Sequence, residues 1–115
     1  MLSLRAEQVW LIEADAEARF RAKLREHLAA HFPGACAALD AEQLDAVLDH
    51  GLARARAHGF ERERELAKYL GLVFAFGRDF DREQAWAARL LAAGASIERL
   101  HAVALLNENR ALGRV

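Results

Sequence analysis

Threonine is absent from this chain of 115 residues, and serine occurs only twice, as Ser3 and Ser96. Valine and isoleucine are few, so β-branched residues, which favour strands, are scarce. No stretch alternates apolar and polar residues over a strand's length, and no Asn-Gly or Asp-Gly hairpin pair occurs. These absences exclude a β-rich fold and predict an all-α one. The single cysteine, Cys36, excludes an intrachain disulfide and fits a cytoplasmic protein. No apolar run approaches the roughly 18 residues of a membrane span. The first twenty residues are acidic and amphipathic and lack a basic start followed by an apolar block, so no signal peptide is expected. There is no basic excess either: 16 Lys+Arg against 17 Asp+Glu give a net charge of -1, which argues against a general nucleic-acid binder.

What is present is helix-forming. Alanine, leucine, arginine and glutamate dominate, and each loses little side-chain freedom in a helix. Apolar residues make up 54% of the chain and charged residues 29%, as in a globular protein. A chain of this size buries roughly 65% of its extended surface, enough for one domain over residues 1–115. Val9, Ile12, Ala16, Phe20, Leu24 and Leu28 recur at helical spacing. They predict a long first helix from an N-cap at Ser3 to His31–Phe32, stopped by Pro33 and Gly34. A short turn over Pro33–Leu39 precedes a second main helix, which opens on an Asp40/Gln43 capping box. Its buried face is Leu44, Val47, Leu48, Gly51, Leu52 and Ala55, and Gly59 ends it. The third helix carries Leu66, Tyr69, Leu70, Val73 and Phe74 and is apolar nearly all round, so it is expected at the centre. Gly51 and Gly71 suggest close helix crossings. Asp81 with Gln84 reads as a second capping box before a helix with Trp86, Leu90 and Ala93. Ser96 caps a last helix carrying Ile97, Leu100, Val103, Ala104 and Leu106. The expectation is a compact bundle of about five helices.

Groups able to do chemistry are sparse. His27 and His31 share a helical face at i, i+4, a spacing that can hold a metal. The glutamate that a zinc-protease helix places after its first histidine is replaced by Leu28. A stabilising charge at a helix C-terminus explains His31 and His58 equally well. The acids of Asp79-Phe80-Asp81-Arg82-Glu83 alternate, but a calcium loop needs more ligands and a glycine where Gln84 stands. Helix capping accounts for them. Phe80, between two acids, is a staple onto the core or an exposed anchor, with the staple favoured. No nucleophile has a base beside it; Ser96 is a cap, and Cys36 lies in an apolar, inert setting. Arg54, Arg56, Arg62 and Arg64, interleaved with Glu61, Glu63 and Glu65, read as a solvated face with local ion pairs. No metal or other cofactor is expected.

One set of segments is more specific: His50-Gly51-Leu52-Ala53-Arg54-Ala55-Arg56-Ala57-His58-Gly59-Phe60, Glu65 to Leu70, Phe74-Ala75-Phe76-Gly77-Arg78-Asp79-Phe80-Asp81, Trp86-Ala87 and Leu90-Leu91, with Leu28 to Pro33, Cys36 and Leu39 upstream. Together they resemble small all-helical accessory proteins, co-chaperone or adaptor-like, encoded in bacterial type VI secretion effector loci. Members carry extra residues with a proline before the Trp-Ala pair, whereas here Glu83, Gln84 and Ala85 lead straight into Trp86. The resemblance implies a non-catalytic module that binds an effector toxin or its chaperone, with Phe76, Asp79, Phe80, Asp81 and Trp86 as partner contacts. Two alternatives stand beside it: an immunity protein that neutralises a cognate toxin, and a metal-dependent hydrolase using His27, His31 and an acid such as Asp79. A homo-oligomer through alanine-rich faces stays open.

Overall fold

The structure, a computed structural model, describes the backbone of residues 6–111 and the side-chain surroundings of residues 14–108. It is all-α. The described residues form seven helices: α1 (Ala6–His31), α2 (Pro33–Ala37), α3 (Ala41–Ala57), α4 (Glu63–Phe76), α5 (Phe80–Glu83), α6 (Ala85–Ala92) and α7 (Ile97–Ala111). The count exceeds the expected five because α2 and α5 are separate short helices. No helix among the described residues is long and apolar enough to cross a membrane. The helices fall into two compact units, one ending at Ala38 and the other beginning at Leu39.

The first unit is α1 and α2. Phe20, Leu24 and Leu28 are buried at helical spacing, as the periodicity predicts, but Ala16 is exposed. The Ser3 cap and the side chains of Val9 and Ile12 lie outside the described residues. Pro33 takes the first position of α2, where its missing N–H is no loss.

The second unit holds α3 to α7, with α4 packed against α3, α5 and α7. Local chemistry sets its joints. Asp40 accepts from Gln43 N–H at 2.8 Å and Gln43 Oε1 accepts from Asp40 N–H at 3.0 Å, a complete capping box at the start of α3. The end of α3 is a Schellman turn. Gly59 adopts φ +92°, Phe60 N–H bonds Ala55 O at 3.0 Å, and Gly59 N–H bonds Arg56 O at 3.0 Å. That turn folds Phe60 back into the core, where it is 5% exposed. At the start of α4, Glu65 accepts from Arg62 N–H at 3.0 Å. Arginine offers no acceptor, so only half a capping box exists there. Ser96 Oγ accepts from Arg99 N–H at 3.2 Å and caps α7.

Some expectations fail for definable reasons. Asp81 does not cap α6, whose start has no side-chain cap; its carboxylate is held elsewhere. Leu106, assigned to the inner face of α7, is 59% exposed, and Leu105 is 48% exposed. The two glycines also differ. A Cβ on Gly51 would lie 2.6 Å from Leu70 Cδ1, so α3 and α4 cross closely there, whereas a Cβ on Gly71 meets nothing within 4 Å.

Opposite outcomes follow at these two glycines. Gly71→Ala removes only backbone freedom and raises unfolding free energy by about 0.5–1 kcal/mol. Gly51→Ala forces the buried Leu70 to move, and an overpacking cost of about 1–3 kcal/mol exceeds the helix gain. Urea titration of both variants measures the signs; equal stabilisation by both would contradict the close crossing.

Candidate functional site

The chemistry-bearing residues of the second unit converge on one place. His50, Arg54 and His58 are spaced i, i+4, i+8 on α3 and line one edge of its buried face. The turn before α5 presents Asp79 and Asp81 to this row. His50 Nε2 lies 3.2 Å from Asp79 Oδ1. Arg54 donates to Asp81 Oδ2 through Nε at 2.9 Å and Nη2 at 2.5 Å. His58 Nε2 sits 2.9 Å from the same oxygen. An ionised carboxylate only accepts, so both histidines carry their proton on Nε2 in these bonds.

Burial grades across the site. The Asp81 side chain is 1% exposed, Arg54 17% and His58 27%, while Asp79 is 40% exposed. Asp81 therefore forms the buried rung and Asp79 the outer one. Burial by itself would push the Asp81 carboxyl up, but hydrogen bonds from His58 and Arg54, with the charge of Arg54, outweigh it and hold the carboxyl below its ordinary value. In return, the bond to Asp81 raises the Arg54 guanidinium.

Aromatic rings close the inner side. Tyr69 of α4 packs 5.0 Å from Phe80, 6.0 Å from Phe60 and 6.1 Å from the His58 ring, centre to centre. Trp86 lies 6.4 Å from Phe80 and meets Phe76 edge-on at 5.3 Å. Burial, reinforced by the charge of Asp81, pushes the Tyr69 phenol well up, so it stays protonated.

Of the sequence-selected contacts, Phe80 is fully buried as a core staple and Asp81 is buried in its ion pair. Phe76, Asp79 and Trp86 are half-buried. All five gather around the α5 turn. The reading of the acids as helix caps is corrected: the side chain of neither Asp79 nor Asp81 caps a helix, because His50, Arg54 and His58 of α3 hold both. The reading of the arginines as a solvated face holds for Arg56, Arg62 and Arg64, which are exposed, and is corrected for Arg54, which is half-buried against Asp81; the exposed Arg64 pairs with Glu98 on α7 at 2.7 Å. His50 was missed altogether, although its spacing to Arg54 and His58 was the available signal. His27 and His31 are exposed, with ring centres 4.4 Å apart. Among the described residues no group of three or more His, Cys, Asp or Glu side chains is placed to hold a metal. Burial pushes the Cys36 thiol up.

No protein-family model, curated protein or solved structure matches this chain.

Removing one partner of a buried ion pair leaves an uncompensated charge. Arg54→Met is expected to cost about 3 kcal/mol of stability, whereas Arg54→Met with Asp81→Leu costs far less. A double-mutant cycle by urea unfolding reads the difference, and additive losses would show that the pair is not coupled. The pH dependence follows from the sign of the Asp81 shift. A carboxyl lowered in the folded state adds stability above its unfolded value of 3.8, and that contribution disappears as pH falls through the lower folded value. The stability gap between the wild type and Asp81→Asn thus narrows below about pH 4. A gap unchanged down to about pH 2 would contradict a lowered carboxyl.

Proposed function

We propose that this chain is a non-catalytic protein-binding module, an accessory or co-chaperone for a type VI secretion effector. The observation that carries the reading is the pair Leu105 and Leu106 on α7, 48% and 59% exposed, the large hydrophobic side chains left open among the described residues. Adjacent exposed leucines on a helix suit the groove of a partner, or the apolar face of a partner helix. Two further points support it. The segments that resemble the secretion-locus proteins run through α3, α4, α5 and α6, and the acids of their most specific motif are engaged inside the fold. The side chains with the best catalytic potential, His50, Arg54, His58, Asp79 and Asp81, pair with one another. Such pairing makes a rigid platform, and preorganised platforms bind with little ordering cost.

The test is co-expression with the products of neighbouring genes. A stable complex is expected to co-purify, and deletion is expected to reduce secretion of its effector. Leu105→Glu with Leu106→Glu should weaken the complex about tenfold or more with the helical content unchanged. If no neighbour co-purifies and effector secretion is unaffected by deletion, the reading is wrong. Protection of cells that express the toxin alone would replace it with an immunity role.

A further inference from the structure

The imidazoles of His27 and His31 stand apart from the clamp of the second unit. Both are exposed on the last two turns of α1, one helical turn apart. The opposite side of those turns is anchored by Leu24 and Leu28, 2% and 0% exposed. Phe32 N–H bonds Leu28 O at 2.7 Å, so the helix is intact through His31 and the spacing of the two histidines is fixed by it. Their ring centres lie 4.4 Å apart, with the planes tilted by 51°. A metal–imidazole bond of about 2.0–2.1 Å puts each ring centre roughly 3.2 Å from the ion. Two such rings at a right angle have centres about 4.5 Å apart, against roughly 5.2 Å at the tetrahedral angle. The observed separation matches the right angle.

We propose that His27 and His31 form a surface chelate for one divalent transition-metal ion of right-angle ligand geometry, copper(II) or nickel(II). Imidazole nitrogens suit these ions, and square-planar or octahedral coordination places neighbouring ligands at right angles. Magnesium and calcium take oxygen ligands, which the pair does not offer. An anion would lie at the C-terminal end of α1, where the helix dipole favours positive charge instead. Lys23 continues the row one turn earlier; it is exposed, and its stem can carry the ammonium into solvent. Because the helix holds both rings in place, the second imidazole meets a bound ion at high effective concentration. Two protein donors leave the other coordination positions to water.

Copper(II) titration of the untagged full chain, read by calorimetry and by electron paramagnetic resonance, tests this. The expected result is one copper per chain with hyperfine coupling to two nitrogens. His27→Gln and His31→Gln should each weaken binding about tenfold or more and leave coupling to a single nitrogen. Their helical circular dichroism should be unchanged, since both side chains are exposed. His101→Gln, on α7, should bind as the wild type does. Unchanged affinity in His27→Gln or His31→Gln would overturn the proposal, as would a two-nitrogen signal that survives in either or is lost in His101→Gln.

Discussion

The placement of the carboxylate of Asp81 inside an apolar unit constrains everything around it. A buried ionised group is tolerated only with close countercharge and hydrogen bonds. Arg54 and His58 supply both from one edge of α3. Because these partners are fixed on a helix, the segment carrying Asp81 can dock in only one register. Docking there drives Phe80 into the core beside Tyr69 and starts the short helix α5. The Schellman turn after α3 contributes from the other end, since it fixes where His58 and Phe60 lie. The ionic rung thus acts mainly by choosing one arrangement over its alternatives. Its net stabilisation is modest, because desolvating the charges offsets much of their attraction.

The fold was largely legible in the sequence because its signals are local. The Asp40/Gln43 box, the Ser96 cap and the glycines at positions 59, 77 and 94 act within one turn of chain, and the three glycines all take positive φ. Apolar spacing located the buried faces of α3 and α4 for the same reason. The site was less legible because its bonds are long-range, joining residues 23 to 29 positions apart. An acid followed three residues later by glutamine looks like a cap whether or not a distant arginine claims it. Asp40 has no such competitor and caps; Asp81 has Arg54 and does not. Gly51 and Gly71 make the same point for packing. Both weaken a helix equally in sequence, and only the neighbour across the crossing, Leu70 against Gly51, tells them apart.

An aspartate bonded to a histidine is also how hydrolytic enzymes orient a general base, so the pairing alone does not separate catalysis from structure. The position of Arg54 favours the structural reading. In an orienting pair the carboxylate keeps its charge for the imidazolium that forms during reaction. Here Arg54 places two donors on the same oxygen that His58 uses, so much of that charge is already neutralised. Asp81 is correspondingly less able to stabilise a proton gained by His58. What such a shared oxygen does well is tie two chain segments to one point. That is a clamp's chemistry, and a clamped α5 turn gives the proposed binding role a fixed surface, with the half-buried Phe76, Asp79 and Trp86 around it.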